Sequence, residues 1–111
     1  MVSDAIRQRF LSDPMPKRLG SLAADLARIA SFVEDPRDQE AVVSLLEEGK
    51  YFAEWMAPDA PLETQALLAE LQVTLAVWQR RLLNGAPDVS MRTEAQRKSD
   101  ELLALAGLTS G

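Results

Sequence analysis

Carboxylates are the groups in this chain whose chemistry is most available, because its 111 residues include seventeen Asp and Glu but no histidine and no cysteine. Without those two residue types there can be no Ser-His-Asp or Cys-His nucleophile and no zinc site of the usual ligands. The acids do not follow the spacing of a calcium-binding loop, and no glycine-rich phosphate-binding loop is present. We therefore predict no catalytic residue, no metal ion and no cofactor. An enzyme would have to work with carboxylates, Lys, Arg, hydroxyls or Tyr51.

The negative charge lies mainly in the middle third of the chain. The formal net charge is −5, and residues 35–71 contain nine acids against two bases, whereas each flank carries one more base than acid. A nucleic-acid backbone would be repelled by the middle third, and no stripe of Lys and Arg elsewhere offsets this repulsion. The sequence therefore predicts that the chain does not bind nucleic acid.

Prolines and turn residues divide the chain into helical segments, in which apolar residues recur every three or four positions. Ser3 and Asp35-Pro36 are typical of helix starts, and Asn84-Gly85 is typical of a helix end. Helices are predicted at residues 3–11, 16–34, 36–56, 61–83 and 88–106. Short connections favour antiparallel neighbours. The predicted fold is all-α, an up-down-up-down four-helix bundle with a short extra N-terminal helix, in a single domain over residues 1–111.

No apolar run is long enough to span a bilayer, and the amino terminus lacks an apolar signal region. The sequence therefore predicts a cytoplasmic protein with no membrane span.

The third predicted helix carries an acidic row with an aromatic pair beside it. Glu40, Glu47 and Glu54 recur every seven residues, and Tyr51 and Trp55 are four residues apart on a neighbouring face. An aromatic pair with an acidic rim could receive a basic, partly apolar segment of another protein. Alternatively, the two aromatic side chains pack beneath the first or the last helix, since large aromatics are usually buried.

The second predicted helix has a ridge of small residues opposite its apolar stripe, formed by Gly20, Ala24, Ala27 and Ser31. Small residues allow a second helix backbone to come close, so the ridge is a candidate contact surface for a partner helix. Alternatively, alanine occurs there only because it is a good helix former on a solvent-facing side.

The fourth predicted helix is apolar on two sides and is therefore predicted to be the most buried. One side follows the spacing of a coiled-coil seam. The seam residues are Thr64, Leu68, Leu71, Leu75, Trp78 and Leu82. The residues of the other side are Leu62, Ala66, Ala69, Val73, Ala76 and Val77. Gln65, Gln72 and Gln79 form a strip between them, which we interpret as a solvent-facing margin rather than an interhelical ladder of hydrogen bonds.

Several short stretches resemble small uncharacterised helical proteins of cyanobacteria. They are residues 7–11, the segment from Arg18-Leu19-Gly20 through Ala27-Arg28-Ile29, Glu54-Trp55 and Trp78-Gln79. The resemblance implies a cytoplasmic bacterial protein and assigns it no activity.

These patterns predict a non-catalytic protein-binding or assembly module that works through helix faces, with another protein as its partner. The first alternative is a small-ligand-binding or enzymatic subunit with a pocket between helices, using Glu side chains and Tyr51. The second alternative is a regulatory homodimer.

Overall fold

The computed structural model describes residues 3–85 and 89–107, and within these ranges the chain is helical with no strand. The α-helices are α1 (Asp4–Ser12), α2 (Met15–Phe32), α3 (Gln39–Met56), α4 (Leu62–Leu83) and α5 (Ser90–Ala106). Short 3-10 turns at Pro36–Asp38 and Ala57–Asp59 precede and follow α3. The prediction of an all-α fold is confirmed. The predicted start of the last helix at residue 88 lies outside the described residues.

Local capping explains where the helices begin and end. The Ser3 hydroxyl accepts a hydrogen bond from the Ile6 amide at 3.3 Å at the start of α1. The Asp35 carboxylate accepts one from the Arg37 amide at 2.9 Å, but this cap begins the 3-10 turn, and α3 starts only after that turn. Gly107 follows α5 with φ 71°, a left-handed conformation that glycine adopts without a Cβ clash.

The helices pack in the spatial order α5, α2, α3, α4, and α1 lies on α3. Gly49 of α3 is buried between side chains of α2 and α4. A Cβ atom at this position would lie 3.2 Å from Leu75 Cδ1 and 3.5 Å from Leu22 Cδ1. The absence of a side chain at residue 49 therefore lets α2 and α4 contribute leucines to one core. The largest fully buried apolar side chains are Leu22, Leu26, Ile29, Leu46, Met56, Leu68, Leu75, Met91, Leu102 and Val42.

One of the two apolar sides of α4 is buried as predicted, and the other is not. All six seam residues, from Thr64 to Leu82, are buried. The outer face of α4, which we define as Leu62, Ala66, Ala69, Val73, Ala76, Val77 and Leu83, is exposed. The prediction that α4 would be the most buried helix is therefore wrong. The cause is the position of α4 in the fold. Its packing neighbours are α3 and the turn Ala57–Asp59, and they leave the outer face uncovered.

None of the helices in the described ranges combines the length and the hydropathy needed to cross a membrane.

Candidate functional site

The aromatic pair of α3 belongs to a larger aromatic cluster. Tyr51 and Trp55 lie with their ring centroids 5.5 Å apart, and Trp55 also lies 6.0 Å from both Phe10 and Phe52. Phe10, which comes from α1, stacks on Phe52 with a centroid separation of 4.2 Å. Trp55 is half-buried against the core, which agrees for this residue with the alternative interpretation, packing beneath the first helix. Trp55 packs against the first helix, and Tyr51 lies farther out.

Tyr51 opens onto a groove between α3 and α4. The groove has a volume of about 360 Å³ and is lined by Glu47, Lys50, Tyr51, Glu54 and Gln72. Glu54 is exposed, and Tyr51 is half-buried. The structure thus places Tyr51, Glu47 and Glu54 around one groove, whereas Trp55 packs toward the core.

The glutamine strip of α4 forms hydrogen bonds to α3. Gln72 Nε2 donates to the Lys50 carbonyl oxygen at 3.2 Å, and Gln79 Nε2 donates to Glu47 Oε2 at 3.0 Å. Lys50 Nζ donates in turn to Gln79 Oε1 at 2.7 Å. Gln65 Nε2 donates to the Ala60 carbonyl oxygen at 3.0 Å, just before α4 begins. The interpretation as a solvent-facing margin is therefore wrong, and Glu47 helps to hold α3 against α4.

The small-residue ridge of α2 lies near α5, which packs against α2. Three members of the ridge are half-buried, namely Gly20, Ala24 and Ala27. Ser31 lines a cleft between α2 and α5 with a volume of about 460 Å³. The Ser99 hydroxyl of α5 donates a hydrogen bond to the Ala23 carbonyl oxygen at 2.8 Å, and α2 and α5 share the most extensive backbone contact of the fold. Of the ridge residues, Ser31 therefore lies at the edge of the packing surface between α2 and α5.

Arg18 connects three segments, and sequence reasoning missed it. Its Nε donates to the Asp13 carbonyl oxygen at 2.7 Å, and its Nη2 donates to the Leu11 carbonyl oxygen at 2.9 Å. Its Nη1 pairs with Asp59 Oδ2 at 2.9 Å. The planar guanidinium group can satisfy all three acceptors at once. Arg18 therefore ties the end of α1 to the turn that follows α3.

Asp25 is the most perturbed titratable group in the described ranges. Its side chain is buried, with the whole residue 1% exposed, and its Oδ2 atom has no hydrogen-bond donor there. Burial raises the pKa of Asp25 to about 8, and a side-chain hydrogen bond with Glu48 and charge repulsion from Glu48 add to the increase. Arg28, whose Nη1 lies 3.2 Å from Asp25 Oδ1, acts in the opposite direction.

Burial also decides what Asp25 can do. A perturbed carboxyl group beside a second carboxyl group is a common feature of acid-base sites. Asp25 Oδ2, however, exposes almost no surface, so no substrate reaches it in this conformation. The sequence contained a usable signal, because Asp25 has Leu22 three residues before it and Ile29 four residues after it, which places it on the margin of the apolar stripe.

Comparisons with protein-family models, with curated proteins and with solved structures find no match. Among the residues that the structure describes, no group of three or more acidic side chains is arranged to hold a metal ion.

Proposed function

We propose that this protein is a non-catalytic protein-binding or assembly module that works through its helix faces. The observation that carries the proposal is the outer face of α4. Its largest side chains are well exposed, with Leu62 81%, Leu83 68% and Val73 65% accessible. An apolar surface that follows one side of a whole helix is typical of a protein-interaction site. The partner that such a face fits is another helix with a complementary apolar stripe.

The groove beside Tyr51 is the second candidate surface. Glu47 and Glu54 supply negative charge at its edge, and the phenol ring supplies an apolar wall with a polar tip. This chemistry suits a basic, partly apolar segment of another protein, as the sequence predicted. Lys50 lies in the same groove and is held by Gln79, so it reduces the net charge that such a segment would meet.

We further propose that the four long helices form an up-down-up-down bundle, with α1 as the extra helix laid on α3. The short connections and the packing of α2 between α3 and α5 support this topology. The cytoplasmic bacterial setting implied by the resemblance stays a prediction.

Cysteine labelling can test the assembly function, because the natural chain has no cysteine that would react. In the Ala69→Cys variant the thiol lies on the outer face of α4, whereas in Leu105→Cys it lies on α5, where the native side chain is 52% exposed. We expect alkylation of residue 69 to be slower in a concentrated extract of the source cell than in dilute buffer, while residue 105 reacts equally fast in both. Equal rates for residue 69 in the two conditions would contradict the proposed function.

A further inference from the structure

The outer face of α4 has the regularity of a coiled-coil seam. Six residues of the outer face, together with Arg80 on the same side of the helix, occupy positions 62, 66, 69, 73, 76, 80 and 83. These positions alternate steps of four and three, and all of them are exposed. The only charged residue among these positions is Arg80. The helix has 22 residues, which corresponds to about 33 Å at 1.5 Å per residue. The exposed seam thus runs over nearly three heptads, a length sufficient for two helices to pair.

We infer that this face pairs with the same face of a second copy of the chain, in antiparallel orientation. The inference rests on the proposed assembly function and names its partner. Two copies related by a twofold axis use one surface twice, so each contact occurs twice in the dimer.

Side-chain size favours one antiparallel register. In this register every layer from residue 66 to residue 83 contains one alanine and one larger side chain, so the two helix axes keep a constant separation. The layers are Ala66 against Leu83, Ala69 against Arg80, and Val73 against Ala76 of the second copy, each repeated by symmetry. A parallel pairing in register would instead stack alanine on alanine in three layers and a larger residue on its own copy in the others. Such layers need different separations between the same two helices.

Charge favours the same arrangement. Glu70 adjoins Ala69 on the rim of the face, so the antiparallel register brings it beside Arg80 of the second copy. Glu70 and Arg80 are both exposed, and neither forms an ion pair within the residues that the structure describes. In a parallel pairing Arg80 would face Arg80 of the second copy, and like charges would repel. Antiparallel pairing replaces this repulsion with two symmetric ion pairs.

Charge exchange at these two positions tests both the partner and the orientation. We expect the wild-type chain to form a dimer in sedimentation equilibrium, and Glu70→Arg and Arg80→Glu each to raise the dissociation constant at least about tenfold, since each turns two attractive contacts into repulsive ones. An equimolar mixture of the two variants should form a heterodimer with about wild-type affinity, because opposite charges again meet across the interface. The double variant should recover self-association for the same reason.

Val73→Lys places a charge at the centre of the face, where the native side chain is 65% exposed and contributes little to the core. We expect this variant to be a monomer with a wild-type circular dichroism spectrum. Leu105→Lys, at a similarly exposed position on α5, should remain a dimer.

Three results would overturn the inference. A wild-type monomer at the highest soluble concentration would show that the second copy is not the partner, and the labelling of residue 69 in extract would then still decide the assembly function. Unchanged self-association of Glu70→Arg would exclude the antiparallel register. A dimer that survives Val73→Lys but not Leu105→Lys would place the interface on α5.

Discussion

Asp25→Asn should make the protein more stable at neutral pH, and the gain should disappear in acid. In the folded chain the pKa of Asp25 is about 8, whereas in the unfolded chain it returns to about 3.9. Between these values the folded state holds a proton that the unfolded state has released. Stability must therefore fall as pH rises through this window. Asparagine has nearly the shape of the protonated carboxyl group and carries no charge that burial would penalise.

The magnitude follows from the linkage relation. Each pH unit inside the window lowers the free energy of unfolding by about 1.4 kcal/mol, so between pH 5 and pH 7 the wild type should lose about 3 kcal/mol relative to Asp25→Asn. Domains of this size are stable by only about 5–15 kcal/mol, so an effect of this size is easily measured. The assay is urea denaturation followed by circular dichroism at pH 5, 6 and 7 and constant ionic strength.

Asp35→Asn is the matched control, because the side-chain hydrogen bond with Arg37 lowers the pKa of Asp35 whereas burial raises that of Asp25. The contribution of Asp35 to stability is complete above its unfolded pKa of about 3.9 and is lost only as pH falls below that value. From pH 5 to pH 7 the free energy of unfolding of Asp35→Asn should therefore change with pH in parallel with that of the wild type. Parallel profiles for Asp25→Asn and wild type would refute the assignment of a protonated Asp25. A carbon-13 titration of the Asp25 carboxyl group with a midpoint below pH 5 would refute it as well.

Three further pairs of substitutions test the packing. Leu75→Ala should cost about 2–5 kcal/mol of unfolding free energy because Leu75 is fully buried in the seam, whereas Val73→Ala on the outer face should cost less than about 0.5 kcal/mol in chemical denaturation of the monomer. Arg18→Met should lower the free energy of unfolding by about 3 kcal/mol, because two carbonyl oxygens and a carboxylate lose their donor. Arg18→Lys should recover only part of this loss, since lysine lacks the planar guanidinium group. A lysine variant as stable as wild type would contradict the role of that group. Trp55→Ala should lower the free energy of unfolding by about 2 kcal/mol, because Trp55 contacts both α1 and the core. Tyr51→Ala should lower it by less. Thermal melts that rank the two variants in the reverse order would contradict this placement.

Much of the fold could be predicted because it depends on local chemistry. The period of the apolar residues predicts which side of α2 and α3 is buried, and Ser3 and Gly107 cap helices in the way their side-chain chemistry requires. The start of α3 was misplaced because Asp35 and Pro36 favour any helical turn, and a 3-10 turn satisfies the same amides as an α-turn. Local signals therefore predict that a helix begins nearby but not which kind of turn comes first.

The candidate site was harder to predict because its contacts join residues far apart in the chain. Gln79 reaches Glu47 and Lys50 only after α3 and α4 have packed, and nothing in the spacing of the glutamines distinguishes this from a row facing solvent. The sequence left the burial of Trp55 open because its angular position on α3 differs from that of the main apolar arc. Phe10 of α1 covers that position, and the packing of a short helix is not encoded in the periodicity of α3.

The error on α4 has a physical cause that also bears on function. A helix with two apolar sides gains most by burying the side with the larger side chains, since the free energy of burial grows with apolar area. The buried seam is rich in leucine and contains Trp78, whereas three of the seven residues of the outer face are alanine. Alanine alone would make the outer face an ordinary solvent-exposed helix surface. The exposure of Val73 and Leu83 along the same line is what alanine does not explain, and α4 of a second copy packed against them would account for it.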